Sequence, residues 1–290
     1  MRPWSPKLAL MPMTIIVLLV YVGCILWTLR ISLTSSQSLP IYDFVGLSQY
    51  ETLLRNRRWQ TSLQNMFIFA GGYILVCLVL GMLLAIFIDQ RVRAENALRT
   101  IFLYPHAMSF IVTGLVWQWI LNPTFGIEKV VRNLGWETFR FDWLVNSDMA
   151  IYTLVLAGVW HGAGFVMAIL LAGLRGVDAE IWRATRIDGI PAWRTYWGIV
   201  LPMMTGVVMT STILLSVQAV KSYDVVVAMT GGGPGIATEL PAKYVMDHMF
   251  ERANIARAAA AAISMLMIVA AVVAPFLFVS NMRKTKGATY

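Results

Sequence analysis

Six long runs of apolar residues, separated by short polar stretches, dominate this chain: 8–29, 62–88, 100–121, 149–174, 203–220 and 258–282. A helix needs about 20 apolar residues to cross a bilayer, and in lipid its backbone must satisfy its own hydrogen bonds. The runs therefore predict an all-α integral membrane protein with six transmembrane helices. None of them holds an Asp, Glu, Lys or Arg. Polar interruptions are sparse: Asn65 near the start of the second run, His106 after Pro105 in the third, where the proline suits a bend that frees backbone carbonyls and the histidine equally suits plain packing, and His161 in the fourth. The fifth run is short, and the last is alanine-rich before it becomes aromatic. The first run is too long for the apolar core of a signal peptide, and no small-residue cleavage pattern follows it, so it reads as a retained span. No repeat, low-complexity tract or soluble module is visible, which predicts one transmembrane domain over 1–290.

Composition supports the pattern. Hydrophobic residues make up 58% of the 290 and charged residues only 13%, against roughly one quarter charged in soluble domains. The net charge of +8 is modest. In a membrane protein such an excess serves orientation and contact with lipid headgroups, and no basic patch interleaved with aromatics suggests nucleic acid. With the N-terminus in the cytoplasm, the inner stretches 1–7, 89–99, 175–202 and 280–290 hold 12 Lys/Arg in 57 residues, against 11 in the 95 residues of the outer ones. This asymmetry, clearest at Arg283, Lys284 and Lys286, predicts both termini in the cytoplasm. Cys24 and Cys77 lie inside apolar runs and read as packing residues. No Cys/His cluster has metal-ligand spacing.

The cytoplasmic stretch 175–202 carries the densest information. Asp178 suits an N-cap, Glu180 and Asp188 are the other acids, and Ile181, Ala184 and Thr185 share one helical face flanked by Trp182 and Asp188. Gly189 ends that helix, and Pro191 blocks its simple continuation. On pattern alone this is equally an amphipathic helix lying on the membrane surface. The segment from Val177 to Pro191, running on to Ile199-Val200-Leu201-Pro202, also resembles the EAA loop of ABC importer permeases, with Gly189 six residues after Arg183 and Ile199 ten after the glycine. The resemblance implies a coupling helix that docks on a separate ATPase subunit, with Glu180, Arg183, Ala184, Asp188, Gly189, Leu201 and Pro202 as its contact residues. One departure stands out. The family motif opens Glu-Ala-Ala, whereas this chain reads Arg183-Ala184-Thr185, so the glutamate's contact does not carry over; Glu180 is the substitute at hand.

Further along, Tyr223 to Thr230 leads into Gly231-Gly232-Gly233-Pro234-Gly235 and then Ala237-Thr238-Glu239. Alone, this is a flexible external hairpin. With Gly46-Leu47-Ser48-Gln49-Tyr50 and Ala172-Gly173-Leu174, it resembles carbohydrate permeases of the maltose-importer class. The run from Gly233 to Lys243 looks most like glucose/mannose-type permeases. The resemblance covers about residue 40 to the end. It implies the type I ABC importer permease fold in the cell inner membrane, a second homologous permease subunit, an ATPase dimer holding ATP-Mg, and a periplasmic sugar-binding protein. This chain has no lysine-containing phosphate loop, so it holds no cofactor of that kind itself. Sugar recognition needs hydrogen-bond partners beside flat apolar surface. Candidates on the spans are Asn65, Trp117, Gln118, Trp160, His161, Gln218, Ser222, Tyr223 and Asp224, since polar groups in a span usually face a cavity or a neighbouring helix. Each also suits plain interhelical packing, and Trp117 and Trp119 also suit an aromatic belt. Two rival readings have less support. An ion-coupled transporter would place acids in its spans, and an intramembrane enzyme would need a base paired with a nucleophile or metal.

Overall fold

The computed structural model describes residues 5–90 and 92–287, with side-chain surroundings described over 10–90 and 92–274. The N-terminal stretch 1–7 and the basic cluster Arg283, Lys284 and Lys286 lie outside the residues whose side chains are described. In chain order the helices are α1 (Ser5–Val17), α2 (Gly23–Ser32), α3 (Ser48–Arg55), α4 (Arg57–Asp89), α5 (Glu95–Ala107), α6 (Phe110–Ile120), α7 (Ile127–Asn133) and α8 (Ala150–Arg175). They continue with α9 (Ala179–Ile187), α10 (Ala192–Arg194), α11 (Leu201–Met203), α12 (Thr205–Val220), α13 (Tyr223–Met229), α14 (Pro241–Met246) and α15 (Ile255–Gly287). Wider π-helical turns join α1 to α2, α10 to α11, and α14 towards α15. Among the described residues the one β contact is an isolated Thr34–Phe44 bridge.

Four helical stretches are long and apolar enough to cross a membrane, Leu10–Ser32, Arg57–Asp89, Ala150–Arg175 and Ile255–Ala274. The count becomes six if each of two bent pairs is one span. The third apolar run, 100–121, carries the bend that Pro105 suggested. α5 and α6 meet at 98°, because Pro105 lacks an N–H and the chain turns extended at Met108 and Ser109. Ser109 then starts a new helix, its Oγ accepting from the Val112 amide at 3.3 Å. The fifth run, 203–220, contains α12. Residues Ala192–Met203 form a helical elbow bent 72° from Thr205–Val220, with Pro202 in its last turn.

The chain falls into two compact units, one of Thr61–Leu240 with Val269–Tyr290, the other of Met1–Gln60 with Pro241–Ile268. In the first, α8 is the buried axis. Small residues let its neighbours approach closely, the usual device for packing helices where lipid is as apolar as leucine. A Cβ added at Gly164 would overlap the Phe102 carbonyl of α5, and one at Gly81 of α4 would sit 2.7 Å from Val166 of α8. Gly114 lets α6 approach α13 in the same way: an added Cβ would sit 2.7 Å from Ala228. Cys77 is buried in this unit, consistent with packing.

In the second unit Cys24 is exposed on its span. Asn56 caps α4 through the Arg58 amide at 2.9 Å, and Asn254 caps α15 through the Arg257 amide at 2.9 Å. Asp247 is held by Arg58 and by Lys243, the latter at 2.8 Å. Beside them the Trp59 and Tyr244 rings meet edge-on at 5.2 Å.

Candidate translocation path and coupling loop

The polar loop after α8 forms the helix its sequence predicts. The Asp178 carboxylate accepts from the Glu180 amide at 2.9 Å at one end. At the other, the Gly189 amide donates to Arg186 O at 3.2 Å and the Ile190 amide to Thr185 O at 3.0 Å. This double closure needs a left-handed residue at its corner, and Gly189 supplies it with φ of 67°. The buried face is Thr185, with Ile181 and Trp182 half-buried, and the Trp182 ring meets Tyr196 edge-on at 5.2 Å. Ala184, expected on that inner face, points outward. Glu180, Arg183, Ala184, Asp188, Gly189 and Pro202 are exposed and Leu201 is half-buried. Beneath the loop Arg175 bridges Glu95 at 2.9 Å and Asp89 at 3.5 Å.

The span candidates separate into groups. His161 is buried, and its Nδ1 lies 3.1 Å from Thr113 Oγ1. Its ring stacks on Phe110 at 4.0 Å and faces His106 at 5.0 Å. Trp117 and Trp160 meet edge-on at 6.0 Å. The buried Trp117 Nε1 and His106 Nδ1 have no hydrogen-bond partner among the described residues. Gln118 is half-buried beside this group, and Trp119 is exposed at a belt position. Gln218 accepts from the Tyr73 hydroxyl at 2.7 Å. Ser222, in the turn between α12 and α13, is spent on the end of α12, donating to Gln218 O at 2.8 Å. Tyr223 is half-buried and Asp224 exposed, both in the first turn of α13.

Asn65 has a different place. Its amide donates to Glu239 O at 3.0 Å and Ile236 O at 3.3 Å, tying α4 to the glycine-rich segment. That segment is no loose hairpin. Thr238 Oγ1 donates to Gly233 O at 2.7 Å and lies 2.7 Å from Thr230 Oγ1.

The family described as binding-protein-dependent transport system inner membrane component matches residues 77–285. The chain belongs to that family. A probable ABC transporter permease of Pyrococcus horikoshii is 34% identical over 281 residues, 94% of this chain and 96% of the relative. The xylose/arabinose import permease XacH of Haloferax volcanii is 31% identical over 256 residues, 87% of this chain and 80% of the relative. A bacterial ABC transporter involved in the import of the acidic polysaccharide alginate has a chain of the same fold, with a TM-score of 0.80 and 18% identity over 97% of this chain and 96% of that one. The type I ABC importer permease fold is therefore the fold of this inner membrane component. The matched region runs from mid-α4 into α15, so both the capped loop and the His161 group lie inside it.

Sequence reasoning missed three residues that this inner membrane component uses at the same places. Tyr73 and Thr113 hold Gln218 and His161, and Tyr196 supports the Trp182 face of the loop. A tyrosine in the middle of the second apolar run was the available signal for Tyr73. For Thr113 there was none, because its partner is 48 residues away.

Proposed function

We propose that this chain is one permease subunit of an ABC importer that carries a sugar across the cytoplasmic membrane by ATP-driven alternating access. A monosaccharide of the glucose/mannose type is the finer reading of the cargo. The observation that carries the proposal is the capped helix α9, which presents Glu180, Arg183, Ala184, Asp188 and Gly189 outward at the break between two spans. A helix closed at both ends transmits a push as a rigid body, which is what docking on a motor requires. The unspent Trp117 N–H beside the Trp160 ring, with the unspent His106 Nδ1 beside the His161 and Phe165 rings, favours a hydroxylated cargo with an apolar ring face.

In this proposal a second homologous permease, an ATPase dimer holding ATP-Mg and a periplasmic sugar-binding protein complete the importer. Both termini of this subunit lie in the cytoplasm, and it performs no hydrolysis. ATP binding closes the ATPase pair, α9 moves with it, and sugar released by the binding protein enters between the spans. The test is ATPase activity of the purified complex in nanodiscs with a panel of sugar-loaded binding proteins. One loaded protein stimulates, and Gly189→Trp abolishes the stimulation. A chain that purifies alone and moves solute along an ion gradient without ATP overturns the proposal.

A further inference from the structure

Two hollows adjoin on the cytoplasmic side of the unit formed by 61–240. One is a cavity of about 620 Å³ lined by Arg175, Arg183, Arg186, Asp89, Trp182 and Tyr196. The other is a smaller apolar groove of about 200 Å³, lined by Val79, Leu83, Leu170, Trp197 and Val208, with Tyr196 shared between the two. The Tyr196 hydroxyl accepts from the Gln90 amide at 3.0 Å, which fixes the shared wall. In the polar hollow Arg175 is occupied by Asp89 and Glu95. Arg183 and Arg186 are exposed and make no ion pair among the described residues, so the cavity keeps a positive balance.

The groove belongs to the membrane side. It runs along α4 and α8, both apolar enough to span a bilayer. The elbow bordering it exposes Trp193 at 62% and Trp197 at 64%, with the Arg194 guanidinium 5.0 Å from the Trp193 ring centre. Tryptophan with arginine in this arrangement marks the headgroup level of a bilayer. An apolar slot opening at that level into a cationic hollow has the shape and charge of one kind of molecule. We propose that this is a binding site for an anionic phospholipid of the inner leaflet. An acyl chain lies against Val79, Leu83 and Leu170, and the headgroup phosphate sits by Arg186, leaving Arg183 at the rim to the ATPase contact. The site adjoins the coupling helix, so the lipid fastens α9 to the spans that it moves. It depends on the membrane orientation proposed above and not on the cargo.

The test uses the whole importer complex in nanodiscs of phosphatidylcholine with phosphatidylglycerol, released into detergent for native mass spectrometry. Phosphatidylglycerol is retained in preference to phosphatidylcholine. Arg186→Gln weakens that retention about fivefold, from the ~1 kcal/mol that a basic residue contributes near an anionic surface. Val79→Trp fills the groove, leaves every charge in place, and displaces the lipid. Val79 is 49% exposed, so the change removes no core contact. Size-exclusion profiles confirm assembly of each variant, and the two act on opposite ends of the site. Equal retention of both lipids, or retention unaltered by both variants, overturns the proposal. Displacement of phosphatidylglycerol by inorganic phosphate alone shows a free-anion site and overturns it too. Protection of the hollow only when the ATPase is present, with no lipid bound, assigns it to the ATPase interface instead.

Discussion

His248 is 1% exposed, and its Nδ1 lies 2.9 Å from the Tyr244 carbonyl. A carbonyl only accepts, so Nδ1 carries the hydrogen and Nε2 is left as a bare acceptor, buried without a partner. Burial, then the positive charges of Arg252, Arg257 and Arg58, hold the imidazole below its ordinary pKa of 6.5, against the raising effect of the Tyr244 hydrogen bond. Nearby, burial pushes the Asp247 carboxyl up, but hydrogen bonds from Lys243 and Arg58 outweigh it and hold the group below 3.8. Both folded-state values are depressed, so in each case the unfolded chain binds more protons as the medium acidifies. The His248 contribution is complete above pH 6.5 and is lost as pH falls below it; that of Asp247 is lost only below 3.8. We therefore expect the unfolding temperature of the purified complex to fall between about pH 7.5 and pH 5.5. His248→Asn keeps a donor near the Tyr244 carbonyl and removes the titration, and it should flatten part of that slope. An unchanged slope would remove His248 from the explanation.

The helices themselves were largely legible in the sequence, because a long apolar run reports length and burial without any knowledge of the partner. Direction was legible only in part. Pro105 signalled a bend in the third run but not its size: hydropathy over 100–121 is continuous, yet the chain turns through 98° at Met108–Ser109, since the serine cap weighs little in an apolar average. The coupling loop was legible for the opposite reason: its caps, Asp178 and Gly189, act on neighbours a few residues away. The polar pairs were hidden, Tyr73 with Gln218 being 145 residues apart. Glycines in the apolar runs were equally silent, and here the structure makes a sharp distinction. A Cβ at Gly164 meets the Phe102 carbonyl, whereas one at Gly71 meets nothing within 4 Å. Gly164→Ala should force α5 off α8, and Gly71→Ala should be neutral or raise stability by up to about 1 kcal/mol from helix propensity. Thermal unfolding of the two variants in the same detergent checks this, and equal melting temperatures would refute the close α5–α8 approach.

At the scale of the whole molecule the charge asymmetry and the bent spans make one joint claim about topology. If each bent pair crosses once, six crossings return the chain to the side on which it began. The loop with Asp188 then faces the cytoplasm, and Asn133 in the loop between α6 and α8 faces outward. Lys/Arg density favours this assignment over its inverse. If neither bent pair crossed, Asn133 and Asp188 would still lie on opposite sides, because α8 separates them, but with Asp188 outside and Asn133 in the cytoplasm. Replacing Cys24 and Cys77 by Ala leaves a cysteine-free background, since these are the chain's two cysteines. Into it, Asn133→Cys and Asp188→Cys are placed singly; both parent side chains are exposed. A membrane-impermeant maleimide should label Asn133→Cys in intact cells, and Asp188→Cys only after the membrane is opened. The reverse result would mean either that the subunit is inverted or that the α5–α6 pair re-enters instead of crossing, and both put α9 beyond reach of any cytoplasmic ATPase. Labelling of both from outside would mean that α8, the span between them, does not cross. Because the proposed function has α9 acting from the cytoplasmic side, this measurement bears on the coupling role as directly as on the fold.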